Sequence, residues 1–250
     1  MMLGEKHRQY GEITYCCVGE NIACAISIGS DKNSPSLIFK GNKKSANEDA
    51  LLAVRQGEYV LLAVADSHFG LWASHSIITG LANNLKRLTT PQAIYSVLHD
   101  LCSTDHNHKE NSETTLLIVS VNRLTGEGFG LSFGDSSALL VSNDTVLRLN
   151  TKDSHYVSLN KALSFESGTA NEFNFNIKTG EVLMVFTDGV DECHYGHPET
   201  SVNDGHIQDL FLQNQGDIKS FVSQLALLAL SGVNGNPGGQ DNLAIAAVLF

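Results

Sequence analysis

The sequence predicts an α+β fold in which antiparallel β-sheets are covered by helices. Strand-like segments outnumber helical ones, and many strands are joined by hairpin-sized turns such as "SNDT" (142–145) and "KTGE" (178–181). Two helical segments lie together in mid-chain and one precedes the last strand, which is not the alternation of a doubly wound parallel sheet. A single core can grow to about 250–300 residues, so we predict one domain over residues 1–250.

Strands are predicted where apolar, β-branched and aromatic residues run between turn residues. These segments are short and recur along the whole chain. The predicted strands are 13–18, 22–29, 50–55, 59–65, 114–122, 128–134, 138–143, 145–150, 172–177, 182–187 and 243–250.

Helices are predicted where apolar residues recur at helical spacing. The first covers residues 71–88, and the second covers residues 91–102 and begins at Pro91, a residue favoured in the first turn of a helix. The third covers residues 217–232 and ends at Gly232, a favoured C-terminal residue. These three segments would cover the sheets.

Composition narrows the possible partners. The formal net charge is −11, which argues against a nucleic-acid or anionic-membrane surface but suits divalent cations. The start of the chain is polar and no apolar run is long enough to span a bilayer. The cysteines are odd in number and contain no CxxC pair, which favours a reducing compartment, so we predict a cytoplasmic protein: Cys16, Cys17, Cys24, Cys102 and Cys193.

Acidic residues recur at the ends of predicted strands. Glu48 and Asp49 precede one strand, Asp66 and Asp188 each follow one, and Asp241 precedes the last. Such residues can meet at one rim of a sheet while the strands stay buried. Two like charges about 4 Å apart repel by about 4 kcal/mol at an effective dielectric near 20. The carboxylates must therefore share protons or hold metal, and hard oxygen ligands point to Mg²⁺ or Mn²⁺.

Six sequence blocks also occur in the order found in a known family. The chain resembles the metal-dependent serine/threonine protein phosphatases of type 2C, the PPM family, over about residues 40–250, and in its compact length it is similar to bacterial members. The resemblance implies a four-layer α/β/β/α sandwich, in which two antiparallel sheets are flanked by helices and two metal ions lie at one end. The blocks are "NEDA" (47–50), "VADSHFG" (64–70), "ETTLLIVSV" (113–121), "FGDSSALLV" (133–141), "FTDGV" (186–190) and "GQDNLAIAAV" (239–248).

Matching these blocks implies a set of metal ligands. Asp66 would bridge both ions, while Asp188 and Asp241 would bind one of them. Glu48 and the main-chain carbonyl of Ser67 would bind the other. The implied cofactor is Mn²⁺ or Mg²⁺, with two ions and room for a third.

Three further roles follow from the same resemblance. Asp49 would hold a metal-bound water, and Asp135 would help to form a weaker third metal site. His68, two residues after Asp66, would protonate the leaving serine or threonine oxygen. A water activated by the two ions would attack phosphorus directly, without a covalent phosphoenzyme.

The sequence departs from the family pattern in several places. Residues 67–70 read Ser-His-Phe-Gly where the family has Gly-His-Gly-Gly, and Lys44 stands where an arginine grips the substrate phosphate. Lysine keeps the charge but loses the bidentate fork, so we expect weaker phosphate binding. The flap near residues 153–163 is much shortened, which predicts a more open groove, and Ser137 replaces an arginine.

The function implied is metal-dependent hydrolysis of phosphoserine and phosphothreonine in proteins. The partner would be a phosphoprotein substrate, which is either a serine/threonine kinase or a target of such a kinase. Two alternatives stay open at this point. The departures suit a pseudophosphatase, a signalling or scaffold module that binds metal with little turnover. The open groove suits a phosphatase of small phosphate esters, because a fold alone does not determine the substrate.

Overall fold

The computed structural model describes residues 1–30, 47–68, 70–103, 113–159 and 169–250. Within these ranges each predicted strand and helix overlaps an observed one. The strands are β1 (Met2–Leu3), β2 (Thr14–Val18), β3 (Ile22–Ser27), β4 (Asp49–Gln56), β5 (Tyr59–His68), β6 (Glu113–Thr114), β7 (Leu116–Asn122), β8 (Glu127–Phe133), β9 (Ser137–Val141), β10 (Val146–Arg148), β11 (Val157–Ser158), β12 (Asn171–Asn176), β13 (Val182–Phe186) and β14 (Leu243–Leu249). The α-helices are α1 (Trp72–Asn83), α2 (Pro91–Ser103), α3 (Asp204–Gln213) and α4 (Ile218–Ser231).

The strands form two antiparallel sheets. In the first sheet the strand order is β1-β4-β5-β7-β8-β12, with β6 and β11 added at the end of β5. In the second sheet it is β10-β9-β13-β14-β3-β2. The pairs β2-β3, β4-β5, β7-β8 and β9-β10 are joined by short turns, which is a connection that antiparallel pairs permit.

Strand periodicity divides the apolar residues among three cores. On β4, Leu51 and Ala53 face the second sheet, while Ala50 and Leu52 face the helices on the other side. One helical core packs α1 and α2 on the first sheet, and another packs α3 and α4 on the second. Both faces of the central strands are therefore buried, which explains their unbroken apolar sequences. The predicted four-layer sandwich is confirmed.

Helix α3 is absent from the predicted elements because its sequence carries little apolar periodicity. Only Ile207 and Phe211, one turn apart, are buried. Its start is fixed instead by a reciprocal cap, in which Asn203 Oδ1 accepts from His206 N at 3.1 Å and His206 Nδ1 accepts from Asn203 N at 3.2 Å. None of the helices in the described ranges is long and apolar enough to cross a membrane.

Candidate metal centre

Two strands of the first sheet bring carboxylates together at one rim. The antiparallel register places Asp49, the first residue of β4, directly opposite Asp66 on β5. Side chains opposed in this way share one face, with Cβ atoms about 4.5–5.5 Å apart. Asp49 is fully buried and Asp66 is 2% exposed. The structure thus places two predicted site residues side by side in a region screened from water.

The second sheet contributes Asp188 to the same rim. Asp188 follows Thr187, the residue after β13, and Thr187 Oγ1 donates a hydrogen bond to Asp49 Oδ2 at 2.7 Å. The amide of Ala244 donates to the same hydroxyl at 2.9 Å, so Thr187 is held at the end of β14. Thr187 therefore fixes Asp49 across the gap between the sheets and sets Asp188 beside it.

Asn242 joins Glu48 to Asp241 in a similar way. Asn242 Oδ1 accepts a hydrogen bond from Glu48 N at 2.9 Å, and Asp241 Oδ1 accepts one from Asn242 N at 2.8 Å. The backbone packs closely here, since a Cβ atom added to Gly189 would lie 1.7 Å from the main-chain oxygen of Asn242. Glycine is required at this approach because any side chain would meet backbone. Glu48 is fully buried and Asp241 is 2% exposed.

Ser67 lies at the end of β5 next to Asp66. Its hydroxyl accepts a hydrogen bond from Ser74 N at 2.7 Å, and Asp66 N donates to Thr115 Oγ1 at 2.9 Å. Ser67 is fully buried. These bonds hold the end of β5 between helix α1 and strand β7.

The donor set at this rim fits a divalent cation. Buried oxygen atoms in each of five carboxylates receive no hydrogen bond from the described part of the chain, although all five residues take part in other interactions: Glu48, Asp49, Asp66, Asp188 and Asp241. Oxygen donors of this kind suit Mg²⁺ and Mn²⁺. Among the described residues, no three His, Cys, Asp or Glu side chains are already arranged to hold an ion. The carboxylates would have to draw together on binding, as expected for like charges that repel without a counter-ion.

Asp135 lies in the turn after β8 and is half-buried. Burial and the neighbouring charge of Asp66 raise the pKa of its carboxyl, while Lys152 and His68 act in the opposite direction. The effect of the Asp66 charge on the pKa of Asp135 indicates that the two carboxyl groups lie near each other. It belongs to the group of predicted site residues that the structure brings together.

His68 ends β5 at the mouth of the site. Its ring packs edge-on against Tyr156, with ring centroids 4.7 Å apart, and its Nδ1 lies 3.8 Å from Glu113 Oε1, on the residue opposite His68 in the strand register. Burial, followed by the charges of Asp135 and other nearby carboxylates, raises the pKa of Tyr156 to about 12. Tyr156 is therefore uncharged, and its ring packs against one side of the His68 imidazole.

One departure from the family pattern, Ser137, can be followed in the structure. Ser137 donates to Asp191 Oδ2 at 3.1 Å, and the Arg148 guanidinium on β10 reaches Ser137 Oγ at 3.1 Å. Although position 137 is a serine and not an arginine, Arg148 from strand β10 brings a guanidinium group to it. Lys152 pairs with Asp191 at 2.9 Å. Lys44, Phe69 and part of the shortened flap lie outside the described residues.

Sequence reasoning missed several residues that hold the site residues in place. Thr187 and Asn242 each adjoin a predicted ligand, in "FTDGV" and "GQDN", so their blocks were recognised but their own roles were not. Ser74 occurs in an ordinary amphipathic helix sequence, and Tyr156 in a polar turn. Their contributions depend on tertiary contacts that no local pattern signals.

Comparison with known proteins assigns the family. The sequence profile of the family described as stage II sporulation protein E (SpoIIE) matches residues 72–245. The chain belongs to the SpoIIE family. No curated protein sequence matches this SpoIIE-family chain.

Solved structures share its fold at low sequence identity. The S. agalactiae serine/threonine phosphatase has a TM-score of 0.66 and 15% identity, with 95% of this chain and 99% of that chain covered. The catalytic domain of the serine/threonine phosphatase PstP, with two manganese ions, has a TM-score of 0.64 and 16% identity, with 94% and 97% covered. RsbX with magnesium has a TM-score of 0.61 and 16% identity, with 96% and 100% covered. The predicted resemblance to compact bacterial PPM phosphatases is confirmed in the fold of this SpoIIE-family chain.

Proposed function

We propose that this chain hydrolyses phosphoserine and phosphothreonine in proteins, with two Mn²⁺ or Mg²⁺ ions as cofactor. The observation that carries the proposal is the meeting of acidic residues from both sheets at one buried rim. Asp49 lies opposite Asp66. Thr187, next to Asp188, donates a hydrogen bond to Asp49, and Asn242, next to Asp241, accepts one from Glu48 N. A purely structural rim would have no need for so much buried negative charge.

In this proposal each carboxylate has a defined task. Asp66 contributes to both ion sites, Asp188 and Asp241 to one, and Glu48 with the Ser67 carbonyl to the other. Divalent ions bound there would lower the pKa of a water molecule and neutralise charge on the phosphoryl oxygens. Two more residues complete the metal centre, Asp49 as a partner for coordinated solvent and Asp135 at a third, weaker site.

His68 is the proposed general acid. The bond from phosphorus to the serine or threonine oxygen breaks as water attacks from the opposite side, and the His68 imidazole donates a proton to the departing oxygen. Tyr156 packs edge-on against the imidazole ring, and Glu113 Oε1 lies 3.8 Å from its Nδ1. Lys44 stays the predicted contact for the substrate phosphate.

The relatives support this class of reaction. The S. agalactiae protein and PstP are serine/threonine phosphatases, and PstP and RsbX were crystallised with manganese and magnesium respectively. By this analogy the substrate is a protein phosphorylated by a serine/threonine kinase.

The test is phosphate release from a phosphothreonine peptide in Mn²⁺ and in excess EDTA. We expect turnover only with metal, and a loss of at least about 100-fold in Asp241→Asn, because each lost ligand weakens the ion and its catalytic charge. Asp144→Asn is the matched control, since Asp144 is an exposed turn residue. Turnover in EDTA, or full activity in Asp241→Asn, would contradict the proposal. Faster cleavage of nucleotides than of phosphopeptides would instead favour a small ester as substrate.

A further inference from the structure

Helix α1 places Ser74 against both segments that carry the Glu48 and Ser67 ligands. Ser74 Oγ donates to the main-chain oxygen of Glu48 at 2.5 Å, and Ser74 N donates to Ser67 Oγ at 2.7 Å. Ser74, Glu48 and Ser67 are all fully buried. A single serine is thus bonded to the two residues proposed to bind the same ion.

The neighbouring His75 extends this contact toward the N-terminal segment. His75 Nε2 accepts a hydrogen bond from the main-chain N–H of Glu5 at 3.1 Å. A main-chain N–H can only donate, so Nε2 carries no proton and the proton of the neutral ring is on Nδ1. His75 Nδ1 lies 3.0 Å from Ser74 Oγ. The imidazole therefore donates to Ser74 Oγ.

The direction of the remaining bond follows. Because Ser74 Oγ accepts a hydrogen bond from His75, the hydroxyl proton of Ser74 is free to be donated to a carbonyl oxygen. Two carbonyl oxygens are in reach, that of Glu48 at 2.5 Å and that of Leu71 at 3.2 Å, and the Glu48 oxygen is the nearer. The donors then all point one way, from Glu5 N–H through His75 and Ser74 to the Glu48 carbonyl. Each polar atom in this series of hydrogen bonds has a partner, as buried polar groups require.

The start of this relay is itself held in place. Strand β1 pairs with β4, with Leu3 opposite Ala50, two residues from Glu48. A Cβ atom added to Gly4 would lie 2.6 Å from the main-chain oxygen of Asn47, so the N-terminal segment packs closely on the segment before β4. Both ends of the relay are thus anchored to β4 and to the segment just before it, which contains Glu48.

We propose that Ser74 and His75 are positioning residues that set the metal affinity of the Glu48 and Ser67 site. The proposal rests on the proposed function, since it takes Glu48 and the Ser67 carbonyl as ligands. Ser74 holds the main-chain oxygen of Glu48 and the side chain of Ser67 at a fixed separation, and His75 fixes the direction of the Ser74 hydroxyl. Groups that orient ligands in this way typically change metal affinity by 10–100-fold when removed.

The first test measures Mn²⁺ binding by titration calorimetry, so that no catalytic assay is involved. We expect Ser74→Ala to weaken Mn²⁺ binding by about 10-fold. The matched control is Ser76→Ala, which removes a hydroxyl from the half-buried side of the same helix two residues on. Thermal unfolding in EDTA accompanies both variants. Equal Mn²⁺ affinity in the Ser74 and Ser76 variants would overturn the proposal.

A second pair of variants tests the direction of the relay without removing Ser74. In His75→Asn the amide nitrogen takes the place of Nδ1 and can still donate to Ser74 Oγ. In His75→Gln the amide oxygen takes the place of Nε2 and accepts from Glu5, but the donor to Ser74 is lost. We expect His75→Asn to bind Mn²⁺ within about 3-fold of the wild type and His75→Gln to bind about 10-fold more weakly.

The outcomes separate this proposal from the proposed function. Equal affinity of the two His75 variants, or the reverse order, would overturn the relay even if Mn²⁺ binds the wild type tightly. A wild-type chain that binds no Mn²⁺ would overturn the proposed function, and the relay with it. Ser74→Ala could also lose as much free energy of unfolding in EDTA as it loses in free energy of Mn²⁺ binding. That result would assign Ser74 to general stability and reject the positioning role.

Discussion

Replacing Asp66 by asparagine should stabilise the metal-free protein. Asp66 lies directly opposite Asp49 and both are almost fully buried. At about 5 Å and an effective dielectric near 20, two such charges repel by about 3 kcal/mol. Asparagine removes one charge at nearly constant volume. We therefore expect a gain of about 1–3 kcal/mol in the free energy of unfolding, or roughly 2–10 °C in Tm.

Metal should make the wild type more stable than the Asp66→Asn variant. An ion that binds only the folded wild type adds about 2.7 kcal/mol at 100 times its Kd. The Asp66→Asn variant lacks the ligand that both ions would share, so it should gain little. The assay is thermal unfolding followed by circular dichroism, in EDTA and in Mn²⁺, with Asp144→Asn as control. A variant less stable than wild type in EDTA would refute the repulsion argument, and equal stabilisation of both proteins by Mn²⁺ would refute the ligand role of Asp66.

Three further outcomes test other parts of the site. His68→Gln should lower kcat on a phosphopeptide by about 10²–10⁴-fold with little change in Mn²⁺ affinity, because a general acid acts on the leaving oxygen; parallel losses in calorimetry and turnover would contradict this. Gly189→Ala should be insoluble or strongly destabilised in denaturant unfolding, since its Cβ would lie 1.7 Å from the Asn242 oxygen; near wild-type stability would contradict the close packing. Burial lowers the pKa of His75 from 6.5 to about 4, so the unfolded chain binds more protons between these values. His75 should then contribute up to about 3 kcal/mol above pH 6.5 that is lost as the pH falls to 4, and the stability difference from His75→Gln should shrink over this range.

The sequence predicted the sheets well because strand signals here are local. Buried strands such as 59–65 and 243–250 are apolar on both faces, and turn residues mark their ends. Helix α3 was missed for the opposite reason. It buries only Ile207 and Phe211 and begins with an Asn–His cap, so its stability comes from packing on the second sheet and not from a periodic apolar face.

The site could be predicted only in part. Acidic residues at strand ends, Asp66 and Asp188 among them, indicated a shared rim because strand ends meet there. The neutral residues that hold them carried no such signal. Serine at position 74 and threonine at position 187 are common in helices and turns, and only the folded chain shows which carbonyl or carboxylate each one reaches.

The hydrogen bonds at the rim also connect metal binding to the packing of the two sheets. The interior of the interface between the two sheets is apolar. Because the hydrophobic effect is not directional, this contact sets the distance between the sheets more than their lateral position. Thr187 with Asp49, and Asn242 with Glu48, are directional bonds that cross this interface at the rim. The first sheet supplies Glu48 and Asp49, and the second supplies the segments that hold them. An ion bound between ligands of both sheets would therefore strengthen the same connection, so that the position of the sheets and the geometry of the site depend on each other.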